Sequence, residues 1–332
     1  MLPIEKIELL LNKFRSVFTF KSNCEISIEG APDTFDSTKL NTLKSMGFNR
    51  LSIGIQSFND NELNTMGRNY GAELGYSIAE MAIKSGIDNV NLDLIYGLPN
   101  QSFDVWKNNL HKTLILNPKT ITIYPLVIRK RTHFGKRQPI TLGNQFVEER
   151  TRYQWYDYSV EQLLNAGYEQ HTMVSFAKKD GGCRYESEGF LGSPTLSFGA
   201  GARKYSPTLH YVDDNYRDRK PNKTILLNYM DHIEQGNIPV QSAALLSKSE
   251  QMRRFIILGL LSFGINKNRF NEIFYPDNID SFSKIFKLLE EEALLWQNDS
   301  NVFLNAKGIK FSSIIGHCLS SDLIQKNKPL YQ

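Results

Sequence analysis

The feature that most limits what this 332-residue chain can fold into is a regular alternation of helix and strand that opens on a helix. Ile4, Ile7, Leu10, Leu11, Phe14, Val17 and Phe18 recur at helical spacing. CEISI (24–28) predicts a strand, and 36–46 a helix that Asp36 caps and Gly47 stops. RLSIGI (50–55) is a strand and 72–85 a helix. NVNLDLIYG (89–97) is a strand, 103–116 a helix and TITIYPL (120–126) a strand. Short strands bounded by Gly or Pro, with a helix between each pair, predict an α/β class with a parallel sheet and crossover helices. The chain supplies four such strands where a closed or nearly closed α/β barrel needs about six to eight. From pattern alone, an open four-stranded sheet is the alternative.

The rhythm changes after Leu126. VIRKRTHFGKR (127–137) is basic and irregular, a helix rich in aromatics runs over 145–166, and YEQHTMVSFA (168–177) alternates like a strand. LSFGAGARKYS (196–206) is glycine-rich, and DDNYRDRKPNK (213–223) reads as an exposed loop. Ser247 and Glu250 form a capping box that opens a helix over 247–263. Helices at 267–274 and 281–293, a small β-wing at 301–308 and a last helix at 309–319 complete a winged-helix-like module. Three segments are expected: 1–130, a partial barrel; 131–240, an α+β extension; and 241–332, the winged-helix-like end.

Composition removes several classes of function. Lys and Arg total 39 against 35 Asp and Glu, a net charge of +4, too mild to call for nucleic acid or an acidic membrane. There is no apolar run long enough to span a bilayer and no signal-peptide cleavage pattern. Cys24, Cys183 and Cys318 form no disulfide framework and no Cys-x-x-Cys pair, so a cytoplasmic protein with reduced thiols is expected.

Three ordered segments carry more. ISIEGAPDT (26–34), RLSIGIQSFNDNELNTMGR (50–68) and NLDLIYGLPNQSFDVWKNNL (91–110) resemble, in this order and at these intervals, the radical S-adenosylmethionine (SAM) family that includes oxygen-independent coproporphyrinogen III oxidase and its heme-chaperone relatives. The likeness continues through ITIYPL (121–126), CRYESEGF (183–190), FGAGARKYS (198–206) and the C-terminal module. It implies a radical SAM (β/α)6 partial barrel, SAM as a cofactor and a [4Fe–4S] cluster that cleaves it to abstract hydrogen. A small-molecule substrate, a tetrapyrrole or another anionic compound, comes with it, and neither nucleic acid nor a membrane. By resemblance, Glu29, Gln56, Arg68 and Asp93 match the family's SAM-pocket positions. Physics agrees, because ligands of parallel α/β sheets sit at the carboxyl ends of the strands. Taken singly, Glu29 could be a plain strand terminator, Gln56 a turn residue and Arg68 a surface charge. Asp93 is the strongest of the four, a carboxylate inside an otherwise apolar strand.

The family's Cys-x3-Cys-x2-Cys loop and its Gly-Gly-Thr-Pro turn do not occur in this sequence. The three cysteines fall in different regions and cannot converge on one cluster. MLPIEKIE resembles the segment that follows that turn, so two strands and one helix of the barrel are expected to be missing, and poor solubility of the isolated chain with them. Two departures bear on the substrate. Arg129, Lys130 and Arg131 replace an acidic segment, and Gln170-His171-Thr172 and CRYESEGF differ from the heme-linked pattern. These leave radical methyl transfer, a cluster-free SAM- or heme-binding protein, and an acid–base enzyme using Glu29 and Asp93 as alternatives.

Overall fold

The computed structural model describes residues 2–127, 146–213, 222–262 and 264–321. Its contacts divide the chain into two compact units, Met1–Gly182 and Cys183–Gln332, with the boundary inside the segment 131–240. The basic stretch with Arg129, Lys130 and Arg131 lies outside the described residues.

In the first unit the expected alternation is present. α1 (Ile4–Val17) precedes β1 (Ser27–Gly30), α2 (Ser37–Ser45) and β2 (Arg50–Gln56). A short α3 (Asp60–Thr65), which the periodicity did not signal, and α4 (Ala72–Lys84) lead to β3 (Asn89–Tyr96). Then follow α5 (Phe103–Leu116), β4 (Thr120–Pro125), α6 (Glu149–Asn165), β5 (Glu169–Gln170) and β6 (Ser175–Ala177). Asp36 caps α2 by accepting from the Lys39 amide at 2.8 Å, and Ser102 caps α5 through the Val105 amide at 3.3 Å. β1 to β4 are parallel neighbours in chain order.

One expectation is extended here and one is corrected. The sheet of the described residues has six strands in the order β1-β2-β3-β4-β6-β5, and β6 and β5 add to it antiparallel. The single strand read over 168–177 is a hairpin. The His171 and Thr172 amides both donate to the Ser175 carbonyl, and Thr172 Oγ1 accepts from the Ser175 amide at 3.1 Å. A side-chain hydroxyl thus offers the backbone a turn in place of the ladder.

The two faces of this sheet differ in chemistry. Leu51, Ile53, Ile55, Val90, Leu92, Leu94, Tyr96, Ile121, Ile123 and Phe176 point one way and form one core with Leu40, Leu43, Ile78, Trp106, Leu110 and Leu163 of the covering helices. Full burial of each large apolar side chain contributes about 1.5–3 kcal/mol. Trp106 is fully buried and donates its indole N–H to Ser159 Oγ at 2.8 Å, which ties α5 to α6. The register places Ser27, Glu29, Arg50, Ser52, Asn89, Asn91, Asp93, Thr120 and Thr122 on the opposite face.

The second unit opens on α7 (Arg184–Phe190) and an antiparallel sheet β7-β8-β9 made by Arg203–Tyr205, Leu209–Asp213 and Val240–Leu245, with α8 (Asn222–Glu234) before the last strand. α9 (Lys248–Leu261), whose N-cap Ser247 accepts from the Glu250 amide, is shorter than the helix read through 263. β10 (Ile265–Asn266), α10 (Lys267–Phe274), α11 (Ser283–Glu291), β11 (Leu295–Gln297), β12 (Asn301–Leu304), α12 (Ala306–Lys310) and α13 (Ser312–Leu319) follow among the described residues. The wing is a three-stranded sheet, β10-β12-β11, and the last helix is split in two. Met252, Ile256, Phe270, Phe286, Val302 and Ile315 form the core of this module.

Candidate functional site

The polar face of the first unit's sheet is organised in two tiers. At the start of the strands, Arg50 Nε donates to the Gly182 carbonyl at 3.1 Å and Arg50 Nη1 to Ser27 Oγ at 3.0 Å. Asn89 Nδ2 donates to the same Gly182 carbonyl at 2.5 Å. The Gly182 amide donates to Thr120 Oγ1 at 2.9 Å, and Thr120 Oγ1 in turn donates to Asn89 Oδ1 at 2.9 Å. Gly182 takes φ +101°, a conformation open to glycine, and so folds its peptide against this end of the face. Each buried polar group here has a partner, so the lower tier is structural.

The upper tier, toward the carboxyl ends of the strands, centres on Asp93. Asn91 Nδ2 donates to Asp93 Oδ1 at 2.8 Å and to Ser52 Oγ at 2.8 Å. Ser52 Oγ donates to Asp93 Oδ2 at 3.2 Å, and Thr122 Oγ1 to Asn91 Oδ1 at 2.9 Å. Burial pushes the Asp93 carboxyl above the usual carboxylate range. The hydrogen bonds from Asn91 and Ser52 oppose the shift, the negative charge of Glu29 adds to it, and the hydrogen bond with Thr122 opposes it again. Glu29 is therefore close enough to act on Asp93, and it is itself exposed. A carboxylate held by neutral donors, with a second carboxylate nearby and no arginine or lysine among the described residues acting on it, favours a ligand that brings positive charge or hydroxyl donors.

Gln56 ends β2 at φ +65°, where the pairing with β3 shifts register. Its side chain folds back over Gly54, and a Cβ on Gly54 would lie 2.5 Å from Gln56 Nε2. The glycine of RLSIGI thus leaves room for the amide on the polar face. Arg68 follows α3, its amide donating to the Leu63 carbonyl at 3.0 Å. Its charge acts on Tyr70, whose hydroxyl donates to the Gly54 carbonyl at 2.7 Å. Burial pushes that phenol up to about 12, Arg68 opposes the shift and Asp33 adds to it. The four residues read from the sequence therefore gather at one end of one sheet, Glu29 and Asp93 directly on its polar face, Gln56 over Gly54, and Arg68 beside the tyrosine that grips the end of β2. Ser52, Asn91 and Thr122 were not singled out. Their signal is the two-residue alternation in RLSIGI, NVNLDL and TITI, where a doubly covered parallel strand reads as continuous apolar sequence.

The loop carrying Gln56 is fastened from behind. Asn109 Oδ1 accepts from the Phe58 amide at 2.8 Å, while its Nδ2 donates to Ser57 Oγ and to Glu62 Oε2, each at 3.1 Å. Ser57 Oγ donates to the same carboxylate at 2.5 Å. Burial pushes the Glu62 carboxyl up, against hydrogen bonds from Ser57 and Asn109. Asn109→Ala leaves a buried amide and a buried carboxylate short of partners. It is expected to lower stability by about 2 kcal/mol, measured by urea unfolding; a change within error would mean the network is not holding the loop.

The chain is similar to known proteins. Residues 2–111 match the Radical SAM superfamily. The chain is 27% identical over 310 residues to the heme chaperone HemW of Bacillus subtilis, covering 92% of this chain and 78% of that protein. It is 31% identical to HemW of Haemophilus influenzae over 60% of this chain, and there it spans half of the relative's length. An oxygen-independent coproporphyrinogen III oxidase of Synechocystis is 26% identical, with 89% of this chain and 65% of that protein covered. Among solved structures, coproporphyrinogen III oxidase (HemN) of Escherichia coli superposes with a TM-score of 0.80 at 23% identity, covering 96% of this chain and 75% of that one.

Proposed function

We propose, for a chain that belongs to the radical SAM superfamily and within it to the HemN/HemW-like branch, that the upper tier of its polar sheet face binds SAM. The observation that carries this reading is the desolvated Asp93 carboxylate among neutral donors, at the carboxyl end of a parallel sheet. SAM presents an ammonium and a ribose diol, which are donors that Asp93 and Glu29 would accept from, and a carboxylate that the Arg68 fork would clamp. The Gln56 amide, able to donate and accept, suits the ribose or the adenine edge. SAM would supply the superfamily's radical chemistry only where a [4Fe–4S] cluster cleaves it.

The cysteines present do not fit the [4Fe–4S] cluster. Cys24 belongs to the first unit and Cys183 and Cys318 to the second, and among the described residues no three His, Cys, Asp or Glu side chains gather as metal ligands. The chain's own residues account for holding SAM and not for cleaving it. The names of its relatives point to a tetrapyrrole as the second small molecule, carried as by a heme chaperone or processed as by an oxidase. Among the described residues no helix is long and apolar enough to cross a membrane.

Titration calorimetry with SAM tests the reading, and a hemin titration followed in the Soret region tests the second ligand. Gly54→Ala sharpens the first. The only close neighbour of the new Cβ is the flexible Gln56 amide, with the Gly30 carbonyl next at 3.9 Å, so the fold is expected to hold. Driving Gln56 off the face is expected to weaken SAM about ten-fold, the worth of one good hydrogen bond. Unchanged affinity would remove Gln56 from the site; absence of any SAM binding by the wild-type chain would remove the reading itself.

A further inference from the structure

The second unit holds a cavity of about 430 Å³ lined by α7, the β7-β8 hairpin and α9. Its volume suits a drug-sized molecule. Phe190, Leu246, Ile257 and Leu258 give it apolar walls, and four charged residues line it, Glu186 of α7 and Glu250, Arg253 and Arg254 of α9, with Glu250 and Arg254 on one face of α9. Glu250 is 7% exposed, and its Oε2 accepts no hydrogen bond among the described residues. Arg254, one turn on, stacks its guanidinium on the Tyr205 ring at 5.8 Å. At this spacing a glutamate and an arginine can pair, yet no ion pair between them is formed among the described residues. A buried carboxylate oxygen without a donor is left desolvated and uncompensated, and a ligand that supplies the donor would recover that cost.

We propose that this cavity binds a flat apolar acid that also carries an N–H donor. The acid group sits on Arg254, the N–H on Glu250 Oε2, and the rings lie among Phe190, Ile257 and Leu258. The site is separate from the SAM reading, since every residue that lines it belongs to the second unit.

The probe is 1-anilinonaphthalene-8-sulfonate, which joins an anion, an N–H and aromatic rings in one small molecule. Titrated into the full chain, it is expected to give a saturable fluorescence rise with one dye per chain. Glu250→Gln and Arg254→Gln are each expected to weaken it about ten-fold or more, and Arg254→Lys to recover part of the loss. Asp93→Asn, in the other unit, is expected to bind the dye as the wild type does, so this test and the SAM test fail independently. Circular dichroism melting checks each variant's fold; if a charge variant does not fold, Ile257→Trp, which fills the cavity from its wall, takes its place with the same expected loss. A dye titration that does not saturate, or equal affinity in the folded variants, overturns the assignment.

Discussion

Asp93→Asn is expected to weaken SAM binding by about 10- to 100-fold while raising the melting temperature of the protein. The first effect follows from the loss of a charged acceptor at the centre of the upper tier. Hydrogen bonds to charged groups contribute about 1.5–3 kcal/mol each, and Asp93 is the half-buried carboxylate toward which Asn91 and Ser52 point their donors. The second follows from the direction of its pKa. Burial holds the carboxyl above its ordinary range, so the folded protein carries a cost for keeping it ionised at neutral pH. Asparagine removes the charge and keeps the network. Its Oδ1 still accepts from Asn91 Nδ2, and its Nδ2 can donate to Ser52 Oγ once that hydroxyl turns. Loss of affinity together with a gain in stability is the mark of a residue kept for binding. A variant that binds SAM like the wild type, or one that melts lower, would make Asp93 a structural residue. Calorimetry and thermal melting on the same preparation distinguish these outcomes.

How much of this could be read beforehand depends on the range of the forces involved. Asp36 before α2 and Ser102 before α5 cap their helices through bonds three residues long, so local sequence suffices for them. The strand runs were equally plain. What they concealed was their parity. RLSIGI and NVNLDL read as apolar strands with one odd carboxylate, whereas Ser52, Asn91 and Asp93 form one hydrogen-bonded line across two strands. The alternation was present in the letters, but its meaning depends on register, which is a long-range property. The fold of Gln56 over Gly54 had no local signal at all, nor did the joining of Glu250, Arg254, Tyr205 and His210 around one cavity from residues up to 49 positions apart. The break in 168–177 was missed for the opposite reason: HTMV has strand composition, and Thr172 overrides it with its own hydroxyl.

His210 supplies the other large effect, and it concerns the second unit. The imidazole is 5% exposed and meets the Tyr205 ring edge-on at 4.7 Å. Burial, with the positive charge of Arg254 acting in the same direction, lowers its pKa to about 4. In the unfolded chain the same group titrates near 6.5. Above pH 6.5 it is neutral in both states and has no effect on stability. Between 6.5 and 4 the unfolded chain binds the proton and the folded one does not, so stability falls as the pH falls, and the loss is complete once the pH has passed below the folded value. The full difference is about 3 kcal/mol at 1.36 kcal/mol per pKa unit, of which roughly 1 kcal/mol should be lost by pH 5.5. His210→Phe keeps an aromatic ring against Tyr205 and has nothing to titrate. Urea unfolding of both proteins from pH 7 to pH 4 is therefore expected to show the wild type losing about 3 kcal/mol more than the variant. Carboxylates elsewhere, Asp93 and Glu62 among them, cancel in the comparison because both proteins carry them. Parallel pH profiles would mean that the imidazole reaches water or a proton acceptor in the folded state. That outcome would also change the cavity, because a protonated His210 would add a third cation to a lining that already holds Arg253 and Arg254.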